Sequence, residues 1–132
     1  MLAIQSHTVT IPKEINEVFN FVFNLDNTSK LMPSQITNWV GNATEASYTL
    51  QGMTNLKMAI SNYVKPDKIE IKSIGDKPFS FEIDYNLKSV ENGTEFFILF
   101  KGDVNMFMKA MVEKPLANLF NYMSEQLPKQ FA

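Results

Sequence analysis

The nine residues Phe79-Ser80-Phe81-Glu82-Ile83-Asp84-Tyr85-Asn86-Leu87 constrain the fold more than any other stretch. Every odd position is apolar or aromatic and every even position is polar. A period of two is the mark of a β-strand with one dry face and one wet face. Such a dry face must be covered by another layer. The chain supplies a cover at its end. Read as a helix, Asn105 to Leu127 places Leu116, Leu119, Phe120, Met123 and Leu127 at i, i+3, i+4, i+7 and i+11, with Asn118, Asn121, Ser124 and Glu125 elsewhere on the circumference. This is the longest helical pattern present, and most of what precedes it reads as strand. The pair predicts an α+β architecture: an antiparallel sheet wrapped around one long C-terminal helix.

The remaining segments fit that plan. Leu2 to Ile11 is rich in β-branched residues and reads as a first strand. Pro12 suits the first turn of a helix, and Ile15, Val18, Phe19 and Val22 give Lys13 to Asn24 an amphipathic period. Asp26-Asn27-Thr28-Ser29 offers an N-cap to a second short helix ending at Met32, before Pro33. Six further strands are predicted at about residues 35–40, 45–51, 55–64, 69–74, 79–90 and 94–103, making seven in all. The turns between them are too short for parallel crossovers. Asn92-Gly93 is the strongest hairpin signal, because a type I′ turn needs positive φ at both central residues. Residues 1–132 are expected to form a single domain, within the usual size range.

Composition narrows the function classes. The chain has no cysteine, which removes disulfides, thiolate metal sites and a cysteine nucleophile. All twelve basic residues are Lys, they form no stripe, and the net charge is −2. Nucleic acid is therefore not an expected partner. The first residues lack a basic region and a long apolar run, and no 18-residue apolar segment occurs, so neither a signal peptide nor a transmembrane helix is expected. A cytoplasmic location is the default expectation.

Two motifs carry a resemblance. Val9-Thr10-Ile11-Pro12-Lys13-Glu14-Ile15-Asn16-Glu17-Val18-Phe19 resembles the opening of the START-like superfamily, also called SRPBCC or polyketide cyclase/dehydrase-like. The closing strand runs through Gly102-Asp103-Val104-Asn105 into Met106-Phe107-Met108-Lys109-Ala110-Met111-Val112-Glu113-Lys114-Pro115-Leu116, and it resembles small bacterial members of that superfamily. Element order along the whole chain agrees. The resemblance implies a helix-grip fold with a cavity between sheet and last helix, suited to lipids, polyketides or isoprenoid-like ligands. It brings no shared catalytic set. The iron-dependent members use two His and a carboxylate, whereas this chain has one His. No cofactor or metal is expected.

Candidate residues follow from the faces. The ligand-lining set predicted by alternation and helical stripe is Tyr48, Leu50, Met58, Ile60, Phe81, Ile83, Tyr85, Phe96, Ile98, Met108, Met111, Leu119 and Met123, which would pack against and desolvate an apolar ligand. His7 stands on the first strand with no orienting partner visible in the sequence. Asn62 and Ser73 fall at nominally inward positions near strand ends. Before Pro115 the helix is apolar around most of its circumference, and Pro115 itself predicts a kink. That Met-rich segment reads as an adaptable wall or lid of the cavity, as irregular core, or as a surface for a weak homodimer or peripheral membrane contact. The function expected is ligand binding or carriage without chemistry of its own. The alternatives left open are a polyketide cyclase/aromatase-like enzyme and a module whose cavity is filled by its own eleven Phe and eight Met residues.

Overall fold

The computed structural model describes residues 1–52 and 54–132. Eight strands form one antiparallel sheet: β1 (Leu2–Gln5), β2 (Val9–Ile11), β3 (Ile36–Gly41), β4 (Glu45–Leu50), β5 (Thr54–Val64), β6 (Lys68–Ser73), β7 (Phe81–Val90) and β8 (Gly93–Gly102). Their order is β1-β8-β7-β6-β5-β4-β3, with β2 pairing on β8 beyond the end of β1. Two short helices, α1 (Ile15–Val22) and α2 (Leu25–Thr28), follow β2 and lead through a 3-10 turn at Ser29–Leu31 into β3. The last element is the long helix α3 (Met106–Gln126), extended by a 3-10 turn over Leu127–Phe131. This is the helix-grip arrangement.

Register explains the core. Ile71, Ile83 and Phe100 stand opposite one another across β6, β7 and β8, and Ile69, Tyr85 and Ile98 form the next row. Cross-strand rows of β-branched and aromatic side chains are the unit that stabilises a sheet. All six residues are buried. The face closes on α3 through aromatic rings. Phe81 stacks on Phe100 at 5.8 Å between centroids, and Phe100 meets Phe120 of α3 at 5.5 Å. The polar residues of β7 face outward, where Lys68 lies 3.7 Å from Asp84 and Lys72 lies 3.8 Å from Glu82.

Each helix start has a local cause. Glu14 accepts a hydrogen bond from the Asn16 N–H, Asn24 accepts from Asp26, and Asn105 accepts from Met108 at 2.8 Å. These caps satisfy amides that would otherwise lack a partner. Pro12 therefore lies outside α1, and the cap of α2 is Asn24 rather than a residue at 26–29.

The predicted first strand is two strands, which makes eight instead of seven. Gln5 pairs with Leu99 and Val9 with Phe96, so three residues of the leading strand oppose two of β8. The extra residue is a bulge, held by a buried serine. The Ser6 N–H donates to the Ile98 carbonyl, and the Ser6 hydroxyl accepts from the Ile98 N–H, both at 2.8 Å. Ser124 of α3 donates to the Ser6 oxygen at 2.9 Å. Beside it, the His7 N–H donates to Asn121 at 2.8 Å and His7 Nδ1 lies 2.9 Å from a Glu125 carboxylate oxygen. The bulge thus clasps the C-terminal half of α3, and His7 has the orienting partners that its neighbours in sequence did not reveal.

The β7–β8 turn is also displaced by one residue. Val90 pairs with Gly93, leaving Glu91 and Asn92 as the turn, while Gly93 opens β8 at φ 140. The reason is crowding: a Cβ on Gly93 would stand 2.0 Å from the Ile11 carbonyl oxygen. Beyond a bulge between Ile60 and Asn62 the residues of β5 are exposed, Asn62 among them. Ser73 accepts the Phe81 N–H.

Burial along α3 is uneven. After Pro115, Leu116, Leu119, Phe120, Met123, Ser124 and Leu127 are all buried. Before it only Val112 is, and Met106 and Phe107 are 89% and 73% exposed. Helical structure runs through Pro115 without interruption, although that residue has no N–H for the Met111 carbonyl.

Candidate functional site

At one end of the sheet a groove of about 450 Å³ opens between α3 and the segment entering β3. Its apolar walls come from Pro33, Ile36, Leu50, Pro115 and Leu119, and its polar rim from Ser34, Gln35, Gln51, Asn118 and Tyr122. Ile36 and Leu50 are cross-strand partners. On α3, Pro115, Asn118, Leu119 and Tyr122 fall at i, i+3, i+4 and i+7, which is one stripe of the helix. The groove is therefore the place where one corner of the sheet and one side of the last helix diverge. Leu50 and Leu119 are 4% and 2% exposed and form a dry floor.

One lip is a conformationally costly turn. Leu50 pairs with Thr54, and between them Gln51 and Gly52 have φ of 51° and 69°. Glycine adopts such angles freely, whereas a glutamine there is held against its preference. A depression of similar size, about 470 Å³, lies around Ile74 to Pro78. Every residue lining it is exposed, so it has no buried floor. The groove beside α3 has one, and that is what an apolar ligand needs.

Of the predicted lining residues, Leu50 and Leu119 are in the groove. Tyr48, Met58, Phe81, Ile83, Tyr85, Phe96, Ile98 and Met123 are buried in the core, Ile60 and Met108 are half-buried at its margin, and Met111 is partly exposed. The rim residues went unread because Ser34, Gln35, Gln51 and Asn118 are ordinary surface types in sequence. The available signal was the second stripe of α3, running through Pro115, Asn118, Leu119 and Tyr122.

The chemistry on offer is limited. Burial pushes the Tyr48 phenol well above the ordinary tyrosine range, and neighbouring Tyr85 adds to the effect. Burial does the same to Tyr85, partly offset by a hydrogen bond with Thr28. Both remain neutral and are poorly suited to proton transfer near neutral pH. Asp84, on the outer face, is raised by partial burial, with Lys68 opposing. Among the described residues no three His, Asp or Glu side chains converge as a metal site, and no helix is long and apolar enough to cross a membrane.

No family model matches this chain, and no curated protein matches it in sequence. Solved structures do match it in shape. The KanY protein aligns with 98% of this chain and 96% of its own, at 16% identity and a TM-score of 0.74. The Aha1 dimer from Colwellia psychrerythraea aligns over 94% and 97%, at 18% identity and a TM-score of 0.58. DynU16, from the dynemicin biosynthetic locus, matches 97% of this chain with 48% of its own length, at 9% identity and a TM-score of 0.62. At such identities the likeness establishes the shared helix-grip fold.

Proposed function

We propose that this chain is a START-like (SRPBCC) domain that binds or carries a small hydrophobic or amphipathic ligand in the groove between the sheet corner and α3. The observation that carries the reading is the groove itself: a dry floor of Leu50 and Leu119 under a polar rim, with a volume of about 450 Å³ that lies in the usual range of small-molecule sites. The neighbouring structures support it through the fold, and DynU16 comes from a biosynthetic locus. The apolar body of the ligand packs on Leu50, Leu119 and Ile36. The groove lining holds no carboxylate, imidazole or amine, which favours binding over chemistry.

Native mass spectrometry of the protein purified from its own host tests this. A small-molecule adduct is expected on the wild type and absent from Asn118→Trp, whose side chain fills the groove from an exposed helix position. An adduct retained in full by the variant would place the ligand elsewhere. We read the chain as a monomer or weak homodimer, with exposed Met106 and Phe107 as the contact surface. Sedimentation velocity over a concentration series checks that reading.

A further inference from the structure

The rim of the groove contains no acid and no base. Ser34, Gln35, Gln51, Asn118 and Tyr122 are all neutral, and none of the apolar wall residues changes that. Among the described residues these five side chains make no hydrogen bond to the protein. Three carboxamides, a hydroxyl and a phenol, all exposed to water, therefore surround a dry floor with no protein partner to give up on meeting a ligand. A carboxamide both donates and accepts, so this rim suits carbonyl and hydroxyl groups alike. It offers no countercharge to an anion. A carboxylate moved out of water onto Leu50 and Leu119 would lose hydration that amide dipoles only partly replace. A carboxylate is held most strongly by a cationic donor such as Lys, Arg or protonated His. The twelve Lys residues of this chain are absent from the groove lining.

Resting on the ligand-binding reading above, we infer that the groove selects uncharged compounds bearing carbonyl or hydroxyl groups and rejects the corresponding carboxylates. Gln35, Gln51 and Asn118 are the specificity-determining side chains. Gln51 is the most telling of them. Its positive φ would be cheaper with glycine, and holding a glutamine there keeps an amide at the lip.

A matched pair of probes tests this. Anthraquinone-2-carboxamide and anthraquinone-2-carboxylate share rings and shape and differ at neutral pH by one charge. Both are titrated into the intact protein at neutral pH while backbone and methyl NMR resonances are followed. The carboxamide is expected to shift resonances of Ile36, Leu50 and Leu119 and to bind at least about tenfold tighter than the carboxylate. Asn118→Lys, a change at an exposed helix position, is expected to abolish or invert that preference without altering the fold. If the carboxylate binds the groove as tightly as the carboxamide, or if Asn118→Lys leaves the ratio unchanged, the selectivity inference is overturned while the groove stands as a site. If neither probe perturbs the groove, the binding reading itself fails and takes this inference with it.

Discussion

Gly93 and Gln51 show how single residues shape the two ends of the sheet. At Gly93 the neighbouring β2 backbone leaves no room for a side chain, since a Cβ would stand 2.0 Å from the Ile11 oxygen. Gly93→Ala should cost at least about 3 kcal/mol in urea unfolding, because steric clash and unfavourable φ act together. At Gln51 the opposite holds. Gly52 beside it has open space, and Gln51→Gly should stabilise the fold by about 0.5–1 kcal/mol, the relief of left-handed strain less the entropy of glycine. The same variant should weaken carboxamide binding, so stability and affinity move in opposite directions. A loss of stability would show that the turn is not strained by its glutamine.

Tyr48 and Tyr85 give a residue-level signature in alkali. Their folded-state pKa values are raised above the ordinary 10.0, first by burial. A raised value means the contribution to stability is complete below the unfolded-state pKa and is lost as pH rises from there toward the folded-state pKa. Stability should therefore fall above about pH 10, the ordinary tyrosine value. Phenolate absorbance from these two residues should appear together with loss of circular dichroism. In Tyr48→Phe/Tyr85→Phe the alkaline fall should flatten. Ionisation of both phenols in a folded protein would contradict their burial.

At the scale of elements, α3 is two halves joined at Pro115. The later half buries five side chains and is clasped at Asn121, Ser124 and Glu125 by Ser6 and His7. The earlier half buries Val112 alone. Phe120→Ala should cost about 3–5 kcal/mol, because it removes a ring packed against Phe100 and leaves a cavity. Phe107→Ala, at a 73% exposed ring, should change stability by less than about 0.5 kcal/mol. Comparable losses at both sites, measured by chemical denaturation, would mean that the first half of the helix is packed in solution. Leu119 belongs to the anchored half and Pro115 marks the junction, so the groove sits at the boundary between the buried and the exposed halves of the helix.

At the scale of the molecule, the architecture was legible because strong periodicity leaves little choice. Phe79 to Leu87 specified a one-faced strand, which forms from Phe81 onward, and the Leu116 to Leu127 stripe specified what would cover it. The break in the first strand was not legible. It depends on Ser6 meeting Ile98 and Ser124, partners 92 and 118 positions away. The same distance hid the link from His7 to Glu125. The Glu91-Asn92 turn was misplaced because Gly93 is required by the approach of Ile11 rather than by a type I′ turn. Of the ten residues that line the groove, alternation and the helical stripe single out only Leu50 and Leu119. Its rim is built from amides whose role comes only from which corner of the sheet they reach.

Where a ligand sits distinguishes a groove at the sheet corner from a site inside the core. Intermolecular NOEs from bound anthraquinone-2-carboxamide to methyl-labelled protein decide this directly. Contacts to the Ile36, Leu50 and Leu119 methyls, with none to Ile71, Ile83 or Ile98, are the predicted result. Contacts to Ile71, Ile83 and Ile98 would place the ligand inside the sheet core and contradict it.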